Sequence, residues 1–424
     1  MASIIATNNI AQKGSPAMQI DLLSQERYVK DSFDGKAAMV KQSQSYQVPS
    51  IHTQEFVQPQ TTVLSNAFVN PTQFEFHWPR RGARRLKNAA IRLRVQETGG
   101  SAAVVVNPTP FWFQRIEVRT KGGSNLVQTL YPWSIWYATA FIPVSRWTTL
   151  APLMASSASW GNGNSLAAST TREYYLPLLG SFFDSEIDLE AFNDDVVVRC
   201  YTQSAVQSGT GVLAVVSGGI ELLADETTPD ERSDKIMKQV YANNAQIQQF
   251  WDTTLIQGSA TFTAGQATKI SLQQVLGKVP FIMFGVRSSD GAGSAAYLTY
   301  TALEDSNRTS GAIDFLDPGS KSLIGGSTLW AAQLRYLEFC KQCNSQFALN
   351  NAVYLLPFCK NADQTFADAT LANGSFAFDG QLFQLSITPS ASFSTGQYYY
   401  DIICFVAKRT AVDTRGMASE VRNA

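Results

Sequence analysis

The stretch Phe111–Tyr137, FWFQRIEVRTKGGSNLVQTLYPWSIWY, constrains what this chain can become more than any other. Ile116 and Val118 alternate with Glu117 and Arg119, the period-two pattern of a half-buried strand. Lys121-Gly122-Gly123-Ser124 supplies a turn, because glycine reaches positive φ without a Cβ clash. Leu126 and Val127 resume the apolar pattern, and Pro132 suits the first turn of a following helix. This is a hairpin joined to an aromatic helix, and the chain carries an echo of it.

Without gaps, an offset of 197 residues lays the stretch over Ala312–Leu334. Ile116 falls on Ile313, Val118 on Phe315, Gly122 on Gly319 and Trp133 on Trp330. These eight residues are the expected core positions of a duplicated unit. Internal repeats define architecture, and two β-sandwiches in tandem is the reading. At 424 residues the chain is too long for one ordinary core, so two domains of roughly 150–200 residues are expected.

The rest of the chain fits that expectation. From about Tyr46 short strands succeed one another, among them Gln73–Trp78, Ala89–Val95, Phe113–Arg119, Glu173–Pro177, Val196–Thr202 and Gly211–Leu223. Earlier candidates are Gln54–Val57 and Thr61–Leu64. The second half offers Phe281–Arg287, Ala296–Leu303, Ala312–Leu316, Lys321–Ile324, Ala352–Phe358, Leu382–Ile387 and Tyr398–Lys408. Regular strand spacing without long intervening helices means an all-β fold rather than a parallel α/β sheet. Between the halves, Thr228-Pro229-Asp230-Glu231 makes a capping box, and Ile236, Met237 and Val240 share one helical face. The expected organisation is an arm over 1–50, a first sandwich over 51–225, a helical connector over 226–250, a second sandwich over 251–408 and a tail over 409–424. The arm is read as ordered by its neighbours or as a docking helix, and the tail as fraying or docking on a neighbour.

These residues carry a resemblance. Asn107–Trp136 and its counterpart Gly311–Trp330 are similar to the aromatic, alternating, glycine-turn and helix segment of the double jelly-roll major capsid proteins of tailless icosahedral viruses. That group includes adenoviruses, tectiviruses and membrane-containing phages. The resemblance implies two tandem eight-stranded jelly-roll β-sandwiches with short helices and a connecting helix. It implies homotrimers of pseudo-hexagonal outline, contacts with neighbouring capsomers, penton or vertex proteins and minor capsid proteins, and an internal viral membrane as a further partner. The implied location is the virion, after synthesis in the host cytoplasm. A tandem β-sandwich that binds glycans, with Trp160 in an aromatic loop stacking on sugars, is the alternative, and a glycosidase is a weaker one.

Composition narrows the chemistry. The formal charge is −1, so the chain has no global basic field of the kind that coats nucleic acid, and sequence-specific nucleic-acid binding is not expected. Charged residues make up 16%, below the roughly 25% typical of soluble domains. Residues 1–20 lack a basic segment followed by an apolar core, which argues against a secretory leader. No cofactor is expected. His52 and His77 are the only histidines, too few for a triad or a histidine-rich metal site. Cys340 and Cys343 form a lone CxxC pair and read as buried thiols on a helix. Asp184, Glu186, Asp188 and Glu190 alternate without calcium-loop spacing and read as a solvated strand or loop. One cluster remains: Arg80, Arg81, Arg84, Arg85 and Lys87, continued by Arg92 and Arg94. It reads either as a strand entry pairing with carboxylates of neighbouring subunits or as a contact with nucleic-acid phosphates or lipid headgroups.

Overall fold

The computed structural model describes residues 46–53, 68, 72–78, 85–98, 104–120, 125–157, 160, 165–184, 187–189, 195–203, 206–208, 211–228, 246–288, 299–324, 329–343, 351–367, 371, 373–412 and 418–420. The first half contains β1 (Tyr46–Thr53), β2 (Gln73–Trp78), β3 (Arg85–Glu97), β4 (Val104–Val106), β5 (Phe113–Thr120) and β6 (Asn125–Leu130). Helices α1 (Pro132–Ala138) and α2 (Val144–Leu153) follow. Then come β7 (Ser165–Leu166), β8 (Thr171–Pro177), β9 (Ile187–Asp188), β10 (Val196–Thr202), β11 (Gln207–Ser208) and β12 (Leu213–Thr228). The second half contains β13 (Gln246–Phe262), β14 (Thr268–Ser271), β15 (Leu276–Val279), β16 (Phe281–Arg287), β17 (Ala312–Leu316) and β18 (Leu329–Trp330). After a helical segment over 331–342 it continues with β19 (Val353–Pro357), β20 (Phe376–Asp379), β21 (Gln384–Thr388), β22 (Gly396–Val412) and β23 (Ala418–Glu420).

The two halves repeat one topology. In the first, β1-β12-β3-β8 form one sheet and β2-β10-β5-β6 the other; β4, β7, β9 and β11 are additions. In the second, β13-β22-β16-β19 and β14-β21-β17-β18 do the same; β15, β20 and β23 are additions. With the additions set aside, each half places its first, eighth, third and sixth strands in one sheet. Its second, seventh, fourth and fifth form the other. Alternation decides which side faces inward. Phe74, Phe76 and Trp78 on β2, with Val196, Val198 and Cys200 on β10, enter the first core. Ile270, Ile313, Phe315, Leu385 and Ile387 enter the second.

The repeated hairpin keeps its register only as far as its turn. Ile116 pairs with Cys200 and Leu130, and Ile313 pairs in the same way with Ile387 and Leu329. Val118 and Phe315 are both buried. Beyond the turn the second copy is two residues longer, since Leu329 rather than Ser327, the offset counterpart of Leu130, stands opposite Ile313. Trp133 lies buried in α1, but Trp330 lies in β18 opposite Ala312 and is 53% exposed. The expected equivalence of the two tryptophans is therefore corrected, and Trp330 is no core residue. Gly319 lies in the described turn after β17, while Gly122 is outside the described residues. The strand expected over 321–324 reduces to a single bridge at Ser322; of that expected over 296–303, residues 296–298 are outside the described residues and the rest forms a bridge at Tyr300.

Other boundaries move too. Residues 46–50, expected in the arm, belong to β1, which pairs with β12. Residues 226–228 and 246–250, expected in the connector, are strand, and residues 229–245 are outside the described residues. So are residues 1–45 and the strands expected over 54–57 and 61–64. The tail folds back on its own chain: β23 pairs with β22 and lies against β6. No helix among the described residues is long and apolar enough to cross a membrane.

Candidate functional site

The two sandwiches meet along a seam, and adjacent residues divide themselves between the two cores. Trp112 packs into the first core and Phe111 into the second. Phe250 meets Phe182 in the first at a centroid distance of 5.5 Å, while Trp251 stacks on Phe366 in the second at 6.2 Å. Strand alternation sends neighbours in opposite directions, so the opening of β13 plugs two bodies at once. Helix α1 behaves likewise: Ile135 enters the first core, and Trp133, Trp136 and Tyr137 enter the second. A helix apolar on every side must be buried on every side, and α1 is buried from Trp133 to Ala138.

Polar groups along the seam satisfy each other. Gln128 of β6 donates through Nε2 to the carbonyls of Gly180 (2.8 Å) and Trp251 (2.6 Å). Its Oε1 accepts from the Phe182 amide at 2.8 Å. Ser134 of α1 and Thr253 of β13 share a hydroxyl hydrogen bond of 2.9 Å. Gln257, Asp401 and Gly285 are register partners across β13, β22 and β16, so they share the sheet face that α1 covers. On that face Arg287 donates to Asp401 through Nε at 2.7 Å, and Gln257 donates to the same carboxylate. The Arg287 guanidinium also lies 4.7 Å from the Trp133 ring centroid. Burial raises the Asp401 carboxyl above its ordinary value, and the Arg287 guanidinium opposes that shift. Gly285 makes room here: a Cβ would stand 2.5 Å from Tyr300 and 3.0 Å from the Tyr137 hydroxyl. Because this sheet is covered on both faces, Phe281–Arg287 is buried at every position and shows no alternation.

A second polar cluster orients the helical segment 331–342, whose middle turns are a π-helix over Gln333–Phe339. Arg335 donates to Glu304, which also accepts from the Tyr354 hydroxyl at 2.6 Å. The Tyr354 hydroxyl in turn accepts from the Leu303 amide at 2.6 Å. Leu334 and Phe339 point inward with Arg335, while Leu337 is 62% exposed.

The basic cluster divides. Arg92 binds Glu221 at 2.7 Å and Glu173 at 2.5 Å, and Arg94 binds Glu173 at 3.3 Å. These two arginines pair with carboxylates of their own chain. Lys87 is half-buried on β3, and Arg85 stands opposite Thr227 and Asp188 in the backbone register. Arg80, Arg81 and Arg84 are outside the described residues.

The remaining candidates are structural. His77 lies 3.4 Å from Glu75 and 3.8 Å from Asp195; His52 stands in β1 opposite Leu222. All five cysteines are free, and burial raises the Cys340, Cys343 and Cys359 thiols above their ordinary values. Among the described residues no group of three side chains is set to hold a metal ion. Asp184 is exposed and accepts from the Ser181 amide, and Glu186 and Glu190 are outside the described residues. Trp160 is buried, stacked on Trp147 at 4.6 Å and donating to Thr139 at 3.1 Å. That removes it as a sugar platform.

No family model and no curated protein matches the chain. Its fold does match solved structures. The VP54 capsid protein of PBCV-1, fitted into a reconstruction of the virophage Sputnik, superposes with a TM-score of 0.62 over 90% of this chain and 97% of that one, at 14% identity. A PBCV-1 capsid model gives 0.63 over the same shares at 13% identity. The Faustovirus major capsid protein gives 0.59 over 86% of this chain and 90% of that one, at 11% identity. The fold is the double jelly roll. In it, the seam built by Gln128, α1 and β13 is the junction between the first roll and the second. Sequence reasoning missed that junction, although two signals were present: an apolar run without alternation in β16 and a helix apolar on all sides in α1.

Proposed function

We propose that this chain is a major capsid protein whose activity is self-assembly, forming homotrimers of pseudo-hexagonal outline that tile an icosahedral shell. The observation that carries the reading is the fusion of two rolls of identical strand order through one buried seam. Three copies of such a pair present six similar bodies around an axis, and closed cyclic symmetry protects sheet edges that would otherwise template aggregation. The likeness to the PBCV-1 and Faustovirus capsid proteins over nearly the whole of both chains supports it. The role is structural rather than enzymatic. Its polar clusters are spent on mutual contacts: Arg287 with Asp401, Arg335 with Glu304 and Tyr354, Gln128 with three backbone groups.

The further partners on this reading are neighbouring capsomers, penton and minor capsid proteins, and an internal viral membrane beneath the shell. The location is the virion, after synthesis in the host cytoplasm. The cluster Arg80, Arg81, Arg84, Arg85 and Lys87 would then contact phosphate-bearing groups at the inner face. Light scattering and negative-stain microscopy of the purified chain test the core of the proposal. Hexagonal particles of three times the 46.4 kDa chain mass are expected. A monomer at micromolar concentration would refute it.

A further inference from the structure

Three of the five cysteines gather where two pieces of the second roll meet. Cys340 and Cys343 lie at the end of the helical segment 331–342, and Cys359 lies in the bend between β19 and the short helix Ala362–Ala367. All three side chains pack against the second core. The two pieces are clamped together, since Gln342 Oε1 accepts from the Ala362 amide at 2.9 Å. At Cys343 the backbone leaves the helix and becomes extended, with φ −140° and ψ −172°, so its side chain no longer follows the helical spiral. The Cys340 sulfur faces back along its own helix, 4.0 Å from the Arg335 carbonyl. Asp363 and Cys359 stand close enough to Cys343 for their charges to act on its thiol, each more strongly than Cys340 does. Cys200 is buried in the other roll, and Cys404 feels only burial.

Fully enclosed thiols are inert. Cys343 and Cys359 are only half-buried, and a carboxylate stands beside the first. The amides of Cys359 and Asn361 approach the Cys359 sulfur and favour its thiolate, against the effect of burial. We propose that Cys343 and Cys359 are an oxidisable pair, which a small disulfide such as glutathione disulfide converts to a cystine that ties the end of the helical segment to the bend after β19. The Cys359 thiolate attacks one sulfur of the reagent and expels a glutathione thiolate, which takes up a proton from water; a mixed disulfide remains. Asp363 accepts the proton of Cys343, whose thiolate attacks the Cys359 sulfur and expels the second glutathione thiolate, and that thiolate ends with the proton. Two protein thiols are oxidised, and one reagent disulfide is reduced to two thiols. The cross-link closes a loop in the unfolded chain and so stabilises the folded one. The chemistry is independent of the capsid reading. Its timing rests on that reading: the pair stays reduced during synthesis in the cytoplasm and closes once a particle reaches oxidising surroundings.

Oxidation of the purified full chain with glutathione disulfide at mildly alkaline pH tests it. Thiols counted after denaturation should fall by two from the five present. Trypsin cuts after Lys341 and Lys360, so both cysteines fall in the peptide Gln342–Lys360. Under non-reducing conditions that peptide should appear lighter by two hydrogens and free of glutathione, while Cys340 on the preceding peptide stays a thiol. The oxidised chain should melt about 5 °C above the reduced one. Cys343→Ser and Cys359→Ser should each abolish that rise, and Cys340→Ser should keep it. A link to Cys340, a glutathione adduct that persists on Cys343 or Cys359, five thiols still free or an unshifted melt would each overturn the proposal. Peptide mapping of the unmodified chain decides the pairing even where a serine variant does not fold. Thiols are counted chain by chain, so a monomer that forms the link would sink the trimer reading alone, and a trimer that does not form it would sink the pairing alone.

Discussion

Gln128 and Trp251 are joined across 123 residues of chain by a 2.6 Å hydrogen bond from a side-chain amide to a backbone carbonyl. The bond ties the last strand before α1 to the first strand of the second roll. Gln128 is buried, and its amide satisfies two carbonyls and one N–H that have been withdrawn from water.

Replacing Gln128 with Leu keeps the volume and removes the bonds. Each buried group left unpaired costs ~1–3 kcal/mol, so with three such groups the variant should lose at least about 3 kcal/mol of stability. Urea titration followed by tryptophan fluorescence reads this directly, because Trp251 and Trp133 report on the seam. A midpoint equal to that of the unmodified chain would mean that water replaces the amide at no cost.

The Arg287–Asp401 pair makes an asymmetric prediction. Asp401→Leu leaves a guanidinium buried without its carboxylate and should cost ~3–5 kcal/mol. The double change Arg287→Met with Asp401→Leu should recover most of that loss, since an apolar pair of similar volume needs no desolvation of charge. A double-mutant cycle on the unfolding midpoints measures the coupling. Equal losses in the single and double variants would locate the effect in packing against Trp133 and Tyr137 instead.

What the sequence revealed follows from the range of its signals. Alternation at Ile116, Val118, Ile313 and Phe315 is local, and it reports that one strand face is buried. It carries the two-sandwich reading. It does not report which body buries the opposite face, and that is what distinguishes Trp133, enclosed by the second roll, from exposed Trp330. An ungapped comparison also cannot register the longer turn after Phe315. The Arg92 and Arg94 partners were equally hidden: Glu173 and Glu221 lie 81 and 129 residues from Arg92 and reach it only because β8 and β12 flank β3.

The basic cluster should show two behaviours. Replacing Arg80, Arg81, Arg84 and Arg85 with Ser should reduce binding of trimers to anionic liposomes and flatten its dependence on salt, because each released phosphate contact lowers the slope. Arg92→Ala should leave that slope unchanged, since its charge is already met by Glu173 and Glu221. Flotation across a salt series gives both slopes. An unchanged slope in the fourfold variant would dissociate the cluster from anionic surfaces.

Glu117 predicts how the first roll responds to acid. Its side chain is 7% exposed and accepts 2.8 Å hydrogen bonds from Arg115 and Arg119. Burial alone would raise its carboxyl, but the two arginine bonds and their charges outweigh burial and hold it below the ordinary value. A carboxylate depressed in the folded state binds its proton more readily when unfolded. The stability it contributes is therefore fully present above the unfolded value of about 4.3 and is lost as pH falls through the folded one. Glu117→Gln keeps the shape and abolishes the titration. Across pH 6 to 3, thermal melts of the unmodified chain should fall more steeply than those of the variant, and the two curves should converge at the acid end. Parallel curves would show that Glu117 is not a source of the acid sensitivity.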